Sequence, residues 1–155
     1  MADRREDESD ERLTEQIDVI VADVFHMMLQ MDCGAMVDPP LVPMDVSAKV
    51  ELSGTIDAQC VIEFPTETAR KLTIAFMGRE DAWEDVIVDD VLGELCNMIA
   101  GGWKSQMKGS DSASRLSLPI ITRGAERHTL DAATLELRRA YALDDSVFRI
   151  NLAIL

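Results

Sequence analysis

Positive charge is what this sequence is short of. Fifteen Lys and Arg stand against 29 Asp and Glu, a formal net charge of −14. Binding nucleic acid or an anionic membrane surface needs an excess of basic side chains, so neither partner is expected. Cysteine is scarce as well: Cys33, Cys60 and Cys96 are odd in number and fall on apolar phases. They suit buried thiols in a reducing compartment better than a disulfide framework. No run of 18 apolar residues occurs, and no basic segment leading into an apolar one opens the chain, so a cytoplasmic protein is expected. Glycine-rich phosphate loops, serine-nucleophile signatures and Cys/His spacings suited to a metal are missing. Asparagine occurs only twice, at Asn97 and Asn151.

What is present is enough for one domain. The chain has 155 residues, 47% of them apolar, which supports a proper core and argues against wholesale disorder. Residues 1–12, MADRREDESDER, have no large apolar residue after Met1 and read as a disordered acidic tail, leaving 13–155 as the domain. Over 13–31 the residues Leu13, Ile17, Ile20, Val21, Val24, Phe25, Met28 and Met31 recur at helical spacing. Three prolines at 39, 40 and 43 then enforce a loop. Val46, Ala48, Val50 and Leu52 alternate with polar residues, and Ile56, Ala58, Cys60, Ile62 and Phe64 continue the apolar face, which predicts a hairpin with one dry side. Thr66 can cap a short helix that Gly78 stops.

A second long helix is predicted over 85–108. Val88, Val91, Leu92, Leu95, Cys96, Ile99, Trp103 and Met107 form one apolar stripe, with Asp90, Glu94, Asn97 and Gly101 roughly opposite. Glu94 and Asn97, three residues apart, project side by side. The adjoining Gly101-Gly102 weakens the helix and leaves bare backbone, read as clearance for a partner surface. A loop over 109–114 follows, then a strand through Leu116, Leu118 and Ile120, with Pro119 at an edge or bulge. Two last strands flank the turn Asp144-Asp145-Ser146, and the terminal apolar strand invites pairing with another edge. The expected fold class is α+β: an antiparallel β-sheet with the long helices packed on one face. A faint internal repeat sets residues 22–28 of the first helix against 93–99 of the second, with Asp23 and His26 standing where Glu94 and Asn97 do.

On spacing alone, Glu94 and Asn97 describe no more than a solvated helix face. The longer string G-E-L-C-N-M-I-A-G over 93–101, the downstream Leu116-Ser117-Leu118-Pro119 and the final hairpin are more specific. Together they resemble the CheC/CheX/FliY family of chemotaxis phosphatases, the CheX branch most closely, across about 13–155. Two departures stand out: Gly102 where relatives often carry Asn, and Cys96 where they often carry a small polar residue.

The resemblance implies a phosphatase for a phospho-aspartyl response regulator of the CheY type, acting in chemotaxis or related two-component signalling. It implies catalytic roles for Glu94 and Asn97: Asn97 orienting the attacking water, and Glu94 engaging the regulator's lysine. It further implies a homodimer, no cofactor of the chain's own, and Mg²⁺ held by the regulator. Asp23 and His26 would then be a degenerate second copy. Asp90 reads first as a solubilising charge and only second as a docking contact. A competing class is a non-catalytic module that docks a regulator or flagellar switch component through the same helix.

Overall fold

Two long helices carry the chain's strongest apolar periodicity, and the structure is built around the sheet that they cover. The computed structural model describes residues 2–54, 56–82, 84–107, 114–124 and 135–155. Its elements are α1 (Ala2–Leu29), β1 (Gly34–Ala35), β2 (Val46–Ser53), β3 (Ala58–Phe64), α2 (Thr66–Met77), α3 (Asp85–Gln106), β4 (Arg115–Leu116), β5 (Ile120–Arg123), β6 (Leu135–Leu143) and β7 (Ser146–Ile154). Of the loop expected over 109–114, only Ser114 lies within the described residues.

The sheet has the order β1-β6-β7-β3-β2-β4, with β5 also pairing β2, and every pairing is antiparallel. This order is symmetric. In the first half α1 is followed by a two-residue strand that joins β6; in the second, α3 is followed by a two-residue strand that joins β2. The faint repeat is therefore visible as a fold in which each half lends a short strand to the other half's hairpin.

Alternation places Val46, Ala48, Val50 and Leu52 of β2 inward, with Ala58, Cys60, Ile62 and Phe64 of β3 in register beside them. Ile17, Val21, Phe25 and Leu29 of α1 are buried on the same core. Phe148 stacks on Phe25 at 4.7 Å and lies 5.3 Å from Tyr141 and 5.6 Å from Phe64. Burying aromatic rings of this size dominates the energetics of such a core.

Several expectations need correction. α1 starts at Ala2 rather than Leu13, so residues 2–12 extend the helix, with Arg4, Glu8, Ser9, Asp10, Glu11 and Arg12 exposed. Acids in first turns favour a helix, and extension from an anchored helix avoids a new nucleation step. Thr66 is the first residue of α2 and not its cap; its hydroxyl donates to Asp45 Oδ2 at 3.2 Å. Gly78 does close α2, in the left-handed conformation at φ 68°. The hairpin is drier than one-sided alternation predicts, because Gln59 and Val61 are buried on its other face too. β3 lies inside the sheet, where long side chains of flanking strands such as Lys49 and Arg138 stand in register with Val61 through Asn151. The terminal strand β7 is also interior, between β3 and β6, so it offers no edge for pairing. The strand expected through Leu116, Leu118 and Ile120 is two short strands separated at 117–119, where proline lacks an N–H for the ladder. No helix among the described residues is long and apolar enough to cross a membrane.

Candidate functional site

Three sides of α3 are occupied within the molecule. Val88, Val91, Leu92, Leu95, Cys96, Ile99 and Trp103 are buried, as the apolar stripe predicts. Gly102 faces α1 so closely that a Cβ there would come within 2.9 Å of Ile20 Cγ2. On a third side a Cβ on Gly93 would meet Pro119 Cγ at 2.9 Å, and one on Gly101 would meet Leu116 Cδ1 at 3.8 Å. The clearance expected at Gly102 is thus taken up by α1 and not by a partner. A helix side chain needs room, and the absence of one here lets two backbones approach.

What remains open is a narrow strip. It carries Asp90, Glu94 and Asn97, the first two exposed and Asn97 half-buried. At about 100° per residue, Asn97 lies about 40° round the helix from Gly93 and Glu94 about 100°. Asn97 therefore stands on the side nearest 116–119, and Glu94 further out. Among the described residues no hydrogen bond or ion pair engages either side chain. Both are free to meet something else.

The neighbouring acids are not equivalent. Arg123 on β5 forms an ion pair with Asp89 and lies 3.8 Å from Asp85 Oδ1, and its Nη2 donates to the Asp85 carbonyl at 3.3 Å. The hydrogen bond that Arg123 donates to Asp89 holds the guanidinium above its ordinary pKa. Asp85 and Asp89 are thereby tied to the scaffold, while Asp90 and Glu94 face outward. On α1, Asp23 and His26 are also exposed, and His26 Nδ1 lies 3.3 Å from Asp32 Oδ1 in an open contact that contributes little. They are not brought into contact with Glu94 or Asn97 in any recorded interaction.

The arrangement offers an amide, which both donates and accepts, beside a carboxylate, which accepts. Among the described residues no three His, Cys, Asp or Glu side chains gather to hold a metal ion. A hollow of about 460 Å³ lies elsewhere, lined by Pro40, Val42, Asp45, Thr66, Asp145 and others. None of the strip residues lines it.

Two features escape sequence reasoning. Asp18 of α1 accepts hydrogen bonds from Arg139 Nε at 3.1 Å and from the Tyr141 hydroxyl at 2.7 Å, fixing α1 to the sheet. Leu116, Leu118 and Ile120, expected on one strand, are all exposed. The apolar count alone could not distinguish these cases.

A family model described as "Chemotaxis phosphatase CheX" matches residues 46–137. No curated protein sequence matches. Among solved structures, the chemotaxis protein CheX of Vibrio vulnificus is similar at 18% identity and a TM-score of 0.75, over 92% of this chain and 96% of that one. The CheX of a CheX–CheY–BeF₃–Mg²⁺ complex from Borrelia burgdorferi is similar at 20% identity and a TM-score of 0.75, over 91% and 96%. FliY of Thermotoga maritima shares the fold at 14% identity and a TM-score of 0.63, over 92% and 86%.

Proposed function

Because the chain belongs to the CheX family of chemotaxis phosphatases, we propose that it removes the phosphoryl group from a phospho-aspartyl response regulator of the CheY type. The observation that carries this reading is the unengaged Glu94–Asn97 pair on the open strip of α3. The complex formed by the Borrelia burgdorferi relative supports a regulator as partner.

In-line attack of water on the phosphorus breaks the bond to the aspartyl oxygen, releasing phosphate and restoring the regulator's carboxylate. Such transfers are governed by positioning and charge more than by covalent chemistry. The Asn97 carboxamide accepts a hydrogen bond from the attacking water and holds it in line. Being neutral, it does not repel the phosphoryl oxygens. The Glu94 carboxylate accepts a charge-assisted hydrogen bond from the regulator's lysine and fixes the register of α3 against the pocket. On this reading any Mg²⁺ would be held by the regulator, where it would neutralise phosphoryl charge. Residues 13–155 form the acting domain, with 1–12 an appendage. A homodimer and a cytoplasmic location complete the reading, although an interior β7 removes the edge-pairing argument for the dimer.

The test is phosphate loss from CheY-like receiver domains of the source genome, each phosphorylated with a small phosphodonor, with and without the chain. Faster loss supports a phosphatase. Unchanged loss, together with binding to the beryllofluoride-activated receiver that requires Glu94, makes the strip a docking surface instead.

A further inference from the structure

Beside the Glu94–Asn97 strip runs a ridge of exposed apolar side chains. Leu118 is 86% exposed and Leu116 36%, and Val86 in the first turn of α3 is 71% exposed. By helical geometry Val86 lies only about 20° round α3 from the direction of Gly93, on the side where Pro119 packs. One exposed leucine is ordinary, but three large apolar side chains along one flank of a helix mark a contact surface.

The backbone that bears Leu116 and Leu118 is pinned on both sides. Pro119 and Leu116 already lie against Gly93 and Gly101 of α3. On the opposite side Ser117 N donates to Glu51 O at 2.8 Å, and Glu51 N donates to Ser117 Oγ at 2.9 Å. Leu118, between the two α3 contacts, projects from a segment with little freedom left to lose. A rigid apolar ridge of this kind binds with a small ordering penalty.

We propose that Leu118 is the apolar anchor that seats the regulator on α3, a positioning residue that brings the acyl phosphate to Asn97. This rests on the phosphatase reading. The occupant is a receiver domain that presents an apolar patch next to its phosphorylation pocket. The ridge continues into the Asn97 strip, and the acids Asp90 and Glu94 beyond it complement a lysine on the same partner. Apolar edge, amide and carboxylate succeed one another across about one helix diameter, on the order of 10 Å.

Leu118→Ser tests this in the full chain, using the phosphorylated receiver that the wild type dephosphorylates. The half-saturating receiver concentration should rise roughly tenfold, as loss of one buried leucine predicts, with kcat within about twofold. Leu118→Met should restore it, and neither change should alter thermal unfolding, since the side chain is exposed. An unchanged KM in Leu118→Ser overturns the anchor while leaving the phosphatase reading standing. If the wild type does not accelerate phosphate loss, that reading fails, and affinity for the beryllofluoride-activated receiver decides the anchor. Weaker binding by Leu118→Ser then supports it, equal binding overturns it, and no binding by the wild type overturns both.

Discussion

Alanine at Gly101 and alanine at Gly102 should move stability in opposite directions, although the two residues are adjacent in α3. In a helix interior Ala is favoured over Gly by about 1 kcal/mol. At Gly101 the new Cβ would lie 3.8 Å from Leu116 Cδ1, an ordinary contact, so that gain survives. At Gly102 it would lie 2.9 Å from Ile20 Cγ2 and 3.6 Å from Cγ1. Ile20 is β-branched and stiff at χ1, so it cannot swing away cheaply. Overpacking of this kind costs about 1–3 kcal/mol, which outweighs the propensity gain and leaves a net loss of about 1 kcal/mol. Urea or thermal unfolding reads both: Gly101→Ala should melt about 2–4 °C higher than wild type, and Gly102→Ala about as much lower. Ile20→Ala should relieve the second effect, giving a non-additive double-mutant cycle of about 1 kcal/mol. If Gly102→Ala proves as stable as Gly101→Ala, the close approach of α1 to α3 at this point is wrong.

The remaining expectations concern buried and half-buried titratable groups. Tyr141→Phe removes the hydrogen bond to Asp18 and should lower stability by about 1 kcal/mol in denaturant unfolding. Burial first, then the Asp18 hydrogen bond, push the Tyr141 phenol well above its ordinary pKa. A raised folded-state pKa lends stability that is complete below the unfolded value of about 10 and is lost as pH rises beyond it. Alkaline unfolding should therefore set in above about pH 10, and Tyr141→Phe should soften it; an identical profile in the variant would contradict the assignment. Burial, with lesser contributions from Asp32 and Asp18, raises the Cys33 thiol to about 11, while a Cys60 hydrogen bond and burial raise Cys96. At pH 8 the folded protein should resist alkylation and the unfolded chain should take up three equivalents. Fast labelling of the native protein would show the thiols to be accessible.

The legible part of this molecule is the part set by local periodicity. The apolar stripe of α3, the inward faces of β2 and β3 and the Gly78 stop all follow from spacing within a few residues. The corrections come where distant chain decides. Asp18 is an unremarkable helix acid until Arg139 and Tyr141, 121 and 123 residues away, close on it. Gly102 looks like an open surface until α1 is laid across it. β7 reads as an edge because it ends the chain, yet β6 and β3 enclose it. Leu116, Leu118 and Ile120 alternate like one strand, and only the break at 117–119 and the pairing of Ile120 with Lys49 show that they do not share a buried face. Glu94 and Asn97 could be placed on one outward face from sequence, but not how little of α3 remains open around them.

Single-turnover decay of a phosphorylated CheY-like receiver, at saturating concentrations of wild type and of Asn97→Ala, tests the central claim most directly. Loss of a water-orienting amide should slow the accelerated decay roughly a hundredfold. Affinity for the beryllofluoride-activated receiver and thermal unfolding should stay near wild type, because the Asn97 side chain has no hydrogen-bond partner among the described residues. Decay at the wild-type rate with Asn97→Ala would contradict a water-positioning role for this residue.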